Sequence, residues 1–218
     1  MNDVITLQDS HSAADLRVYL ARVRLVDDTA VRLIATGGVL AVYSAVLYPR
    51  GLMDTSPTIL GLRTFAETSG AGFDRVVAPA AISDRLASMA SDADSPSIPL
   101  PAGDVRSSWS GISPPRGGWE RVSSVSSLAL ELAARDGAGE VARGVPDNTG
   151  DLLVQRVRSG VWSRPLDGHP EIPSGVAFAA ASLGFLVGEE EVPIYASGGW
   201  LRASPVRGHV LARTGRGL

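Results

Sequence analysis

Lysine and cysteine are both missing from this 218-residue chain, and asparagine occurs only at Asn2 and Asn148. All 20 basic residues are therefore arginine. Lysine and asparagine codons are A-rich, so this usage predicts a GC-rich bacterial genome. The absences exclude chemistry whatever their origin. Without lysine there is no Schiff base and no Walker-type lysine on a phosphate. Without cysteine there is no thiol nucleophile, disulfide, thiolate zinc site or iron–sulfur cluster. Three histidines, His11, His169 and His209, are the only imidazoles, and they lie far apart in sequence. No metal and no cofactor is predicted.

The first 16 residues lack the basic and apolar regions of a signal peptide. The longest apolar run, residues 175–188, is too short for a typical membrane span. The expectation is a cytoplasmic protein with no membrane partner. A hydrophobic fraction of 44% with 20% charged residues is ordinary globular usage, and the length suits one large domain or two small ones. A net charge of −3 argues against a polyanion as partner for the molecule as a whole.

Hydropathy patterning predicts an α+β fold in two parts. Ser10 or Ser12 can cap a helix whose Leu16, Tyr19, Leu20 and Val23 share one face. Two strands follow around Gly37-Gly38, a good hairpin turn pair. TILGLRTFA and RVVAP read as a third and fourth strand, and a helix covers residues 80–90. The first part, residues 1–91, is thus an antiparallel β-meander with flanking helices. Residues 92–118 are rich in Ser, Pro and Gly and read as a linker or a docked loop, with Trp109 arguing for docking of its second half. The second part, residues 119–218, is expected to be helical: a helix over 122–136 ended by Gly137, a short helix in GAGEVARGV, one over DLLVQRVRSGVWSRPL, a loop at 165–170, and a buried helix in IPSGVAFAAASLGFL. EEEVPIYASGGWLRASPVRGHVLAR closes it as a hairpin or short meander, and the arrangement resembles a winged helix.

SPPRGGWE, residues 113–120, fails as a phosphate cradle, because its glycines follow no strand and no Lys-Ser/Thr pair comes after them. It reads as the lead-in to a helix capped by Ser123 or Ser124. GGW recurs at 198–200, which we read as shared turn chemistry. Trp162 lies beside Arg158 and Arg164, a pattern of arginine stacked on tryptophan. The glutamates at 189–191 read as a solvated helix end, and Asp92 and Asp94 lack the rest of a calcium loop. No G-x-S-x-G is present, and His169 and His209 have no obvious serine partner. After Glu191 there is no acid, while Arg202, Arg207, Arg213 and Arg216 fall in the tail.

The stretches W-S-x-I-x-x-P-R-G-G-W (109–119, with a second proline at Pro114), V-W-S-R-P (161–165), P-S-G-V-A-F-A-A-A-S-L-G-F-L (173–186) and G-W-L-R-x-S-x-x-R-G-H-V-L-A-R (199–213) resemble a family of conserved hypothetical proteins from GC-rich bacteria with no assigned activity. The resemblance supplies no catalytic residues. Three functional expectations follow. The leading one is a non-catalytic module that binds another protein or itself. The second is nucleic-acid binding through Arg202, Arg207 and Arg213. It is not favoured, because GVAFAAASLGFL offers no side chain that reads a base edge. The third is a ligand site or enzyme between the two parts, near Trp119, Trp162, Arg164 and His169.

Overall fold

The computed structural model describes residues 3–51, 53–70, 72–89, 96–145 and 150–213. Asp92, Asp94, Asn148 and Arg216 lie outside them. The chain divides into two compact units, Met1–Ala45 with Leu62–Ile112, and Val46–Gly61 with Ser113–Leu218. Helices and a large antiparallel sheet make it an α+β protein.

The first unit opens with β1 (Val4–Thr6) and α1 (Ser10–Val26). Asp9, rather than either serine, caps the helix, its carboxylate accepting from the Ser12 amide at 2.7 Å. Leu16, Tyr19, Leu20 and Val23 are buried along one face, joined by Ala13. Buried Tyr19 shares a hydrogen bond of 2.9 Å with Ser44, so its hydroxyl is satisfied in the core. β2 (Val31–Thr36) and β3 (Val39–Leu47) pair around Gly37-Gly38, whose φ angles of +58° and +78° are those of a tight hairpin turn. β4 (Thr58–Ala66), β5 (Phe73–Val77), α2 (Pro79–Ser88) and β6 (Ser97–Pro99) follow.

The strand order is β5-β2-β3-β4, so the expected simple meander is corrected. β5 pairs with β2, from Val31↔Val77 to Ala35↔Phe73, not with its predecessor β4. The cause is visible at Glu67, just after β4. Its amide donates to Gly38 O at 2.9 Å, which draws the chain to the β2–β3 turn. Its buried carboxylate accepts from the amides of Thr6 and Ser69. From there the next strand falls on the free edge of β2. β1 and β6 form a two-stranded sheet that hydropathy does not reveal, since three residues are too few to show a period. Trp109 is 1% exposed in a 3₁₀ turn, Ser108–Gly111.

The second unit contains β7 (Glu120–Ser126), α3 (Ser127–Gly144), α4 (Asp151–Trp162), β8 (Pro165–Leu166), β9 (His169–Pro173), α5 (Gly175–Ser182), β10 (Glu191–Ser197), β11 (Trp200–Ala203) and β12 (His209–Arg213). Its sheet runs β4-β12-β11-β10-β7, with residues 58–61 as its share of β4. The winged-helix expectation is therefore corrected. The closing strands are no projecting wing, because β10 and β12 each have a second neighbour. SPPRGGW leads into a strand, not a helix: ERVSSVS pairs with β10 as β7. Its two β-branched residues, Val122 and Val125, suit a pleated strand, and a spacing of three does not by itself tell a strand from a helix. Ser126, not Ser123 or Ser124, caps α3 by accepting from the Ala129 amide at 3.2 Å. Residues 165–173, read as a loop up to 170, form a small hairpin instead.

Gly137 was expected to end α3, but the helix runs on to Gly144 and absorbs the second helix predicted there. The glycine serves packing. A Cβ built on it would stand 2.4 Å from the Trp162 ring, and one on Gly175 would meet Ile59 at 2.4 Å and Trp162 O at 2.9 Å. Only glycine admits so close an approach. Trp162, 2% exposed, fills this socket and stacks on Phe178 with centroids 4.6 Å apart. α5 is the buried centre of the unit, with Gly175, Val176, Ala177, Ala179 and Ala180 inside.

Candidate functional site

The two-residue turn Gly198-Gly199 fixes the β10–β11 register: Ser197 faces Trp200, and Tyr195 faces Arg202. On the far side of β10, Tyr195 faces Arg121 across a register shift. On the far side of β11, Arg202 faces Leu211, and Trp200 faces Arg213. Directly opposed residues share a sheet face. One face therefore collects Arg121, Tyr195, Arg202, Trp200, Leu211 and Arg213. His209, two residues before Leu211, lies on it too.

Trp119 joins this face from just before β7. Its indole N–H donates to Pro115 O at 3.1 Å, and Ser197 Oγ donates to Gly117 O at 3.2 Å. Gly118, at φ +72°, makes the turn between them. The two GGW segments thus meet in space, a proximity the sequence reading did not foresee. Arg202 Cζ lies 4.7 Å from the Trp119 ring centroid and 4.6 Å from that of Tyr195. No hydrogen bond or ion pair from the described residues reaches this guanidinium, and its Nε is buried without a partner. Burial pulls Arg202 below the ordinary guanidinium range, against a smaller opposite pull from Tyr195. His209 is held below the ordinary imidazole value by burial first and by the charge of Arg202 second. Its Nδ1 shares a hydrogen bond of 3.0 Å with Ser204 Oγ, so it does have a serine partner, and cross-strand register made the pair. No carboxylate among the described residues orients this imidazole as a catalytic base would require.

The other predicted residues fall elsewhere in the same unit. Trp162 and Arg164 line a cleft of about 370 Å³ with Leu132, Gly137, Glu140 and Leu166. Arg164 does not stack on Trp162. It makes a two-pronged pair with Glu140, both bonds 2.8 Å, which raises the arginine and lowers the carboxylate. Arg158 lies over Phe178 at 5.7 Å. His169 stands 3.8 Å from Glu171, which also accepts from Ser123 Oγ. Trp119 is not among the cleft residues. Arg207, in the β11–β12 connection, and Arg213, at the end of β12, are exposed. The glutamates at 189–191 do not end a helix. They lead into β10 beside the start of α3, where Ser127 Oγ accepts from the Glu190 amide.

Among the described residues, no three His, Asp or Glu side chains converge in a metal-ligating group. None of the described helices is long and apolar enough to cross a membrane. Tyr195 is the participant that sequence reasoning missed. The signal was present, since a Gly-Gly turn at 198–199 with period-2 strands on both sides places residue 195 opposite 202.

No curated protein matches the sequence. The fold is similar to that of the DNA polymerase sliding clamp from Caulobacter crescentus, with a TM-score of 0.52 and 14% identity, covering 99% of this chain and 66% of the clamp. A putative DNA polymerase III beta subunit from Eubacterium rectale gives a TM-score of 0.53 at 10% identity, covering 99% of this chain and 65% of that one. DNA polymerase III subunit beta from Borrelia burgdorferi gives 0.53 at 9% identity, covering 96% and 64%. The chain spans about two-thirds of the length of these proteins, and the likeness is one of fold. Residues 114–217 match a second domain model, Domain of unknown function (DUF8185). Over residues 1–109, half of its length, the chain matches and belongs to the family of the Domain of unknown function (DUF8010).

Proposed function

We propose that this protein is a non-catalytic protein-interaction module that associates with a second copy of itself. The observation that carries the reading is the similarity of nearly the whole chain to solved proteins named as sliding clamps and as subunits of a polymerase. Those names denote proteins that work in assemblies, and this fold supports the same kind of work here. The surface adds support. Leu128 and Leu132, one turn apart on α3, are 53% and 40% exposed, and Leu152 and Leu153 are exposed on α4. Apolar side chains turned outward at helical spacing are the raw material of a protein interface.

Light scattering coupled to size exclusion tests this. The proposal expects a mass above the 22.7 kDa of one chain, rising with concentration. A mass of one chain at every concentration contradicts self-association. Replacing Leu128 and Leu132 with glutamate is expected to return the mass to that of one chain.

A further inference from the structure

Many arginines among the described residues are held by acids. Arg32 is bonded twice to Asp74, Arg75 to Asp3 and Asp104, and Arg164 to Glu140. Arg202 is held by aromatic rings instead. Two ring centroids lie 4.6 and 4.7 Å from its Cζ, so the directions left for a hydrogen-bonding partner run in the guanidinium plane. A planar fork approached in its own plane is the geometry for two-pronged pairing with an oxyanion. The strand positions around Arg202 are basic. Arg121 and Arg213 are both exposed there, and the acid of β10 that shares this face, Glu191, lies four residues along the strand from Tyr195. No acid occurs anywhere in residues 192–218.

We propose that the face formed by Trp119, Tyr195 and Arg202 binds a carboxylate presented by an acidic segment of a partner protein. Arg202 supplies the paired donors, and Trp119 and Tyr195 hold the guanidinium rigid so that little side-chain entropy is lost on binding. Arg121 and Arg213 extend the favourable field along the segment. A single-stranded nucleic acid fits less well, because each of the two rings already gives a face to Arg202 that a base would need for stacking. The proposal rests on the reading of the protein as a protein-interaction module, but not on self-association.

Fluorescence anisotropy with a labelled peptide of alternating glutamate and leucine tests it, beside a glutamine–leucine peptide and a labelled oligo-dT. The full-length protein should bind the glutamate peptide and not the glutamine one. Arg202→Gln should weaken binding by about tenfold or more, and Arg202→Lys nearly as much, because an ammonium lacks the fork. Should either variant fail to fold, the Arg202 Nε–Hε resonance of the wild-type protein gives the answer instead: it should shift on titration with the glutamate peptide only. Failure to bind the glutamate peptide, undiminished binding by folded Arg202→Gln, or capture of oligo-dT in its place overturns the proposal. The peptide binding of a single-chain species would sink self-association alone, so the two ideas fail separately.

Discussion

Trp162 and Trp119 belong to the same unit, and each has an arginine two residues after it in sequence. Only Trp119 takes part in an arginine–aromatic pair. Trp162 has Arg158 one helical turn before it and Arg164 two residues after it, yet it holds neither. Arg158 lies over Phe178, and Arg164 turns away to Glu140. Trp162 goes inward because Gly137 and Gly175 leave room for it there. Trp119 has no glycine socket, stays partly exposed, and receives an arginine from 83 positions later in the chain. Whether a tryptophan becomes core or surface is decided by what faces it, and that is a property of the packed elements, not of its sequence neighbours.

The comparison can be broken from its core side first. Trp162→Ala removes a buried indole wedged between helices and should cost about 3–5 kcal/mol, read as a fall in the urea midpoint. Gly137→Ala tests the socket itself. On propensity alone, alanine would gain about 1 kcal/mol in a helix interior. With the Trp162 ring 2.4 Å from the new Cβ, overpacking should outweigh this and destabilise the protein by about 1–3 kcal/mol. A stabilised Gly137→Ala protein would mean that the ring yields easily.

On the sheet side the effects are smaller. Arg202→Ala should lose about 1 kcal/mol, the worth of a partly exposed cation–π contact. His209 gives a pH signature. Its folded value is depressed below the ordinary 6.5, chiefly by burial. The unfolded chain therefore takes up its proton first as pH falls. The contribution of His209 is fully present above 6.5 and is lost below it, down to the folded value. Chemical denaturation from pH 7.5 to 5.5 should show this loss, and His209→Gln should flatten it.

Much of the first unit was legible because its signals are local. The face of α1 is written in helical spacing, and Gly37-Gly38 names its own turn. The position of β5 was not, since it depends on Glu67 meeting Gly38 O, a contact with no trace in hydropathy. In the second unit, ERVSSVS was mistaken for the start of the helix it precedes. Its serines fit a helix cap as well as an edge strand, and only pairing with β10 decides. Gly137 misled for a related reason: a glycine that ends a helix and a glycine that admits a ring look the same in sequence. The tail arginines were visible, but the aromatic partners of Arg202 come from two other segments, one of them reached only through β7.

The most direct test of this division of labour compares Trp162→Ala with Trp119→Ala in urea unfolding. The account predicts a loss of about 3–5 kcal/mol for the first and only about 1 kcal/mol for the second. Equal losses would contradict it, because Trp119 would then be as much a part of the core as Trp162.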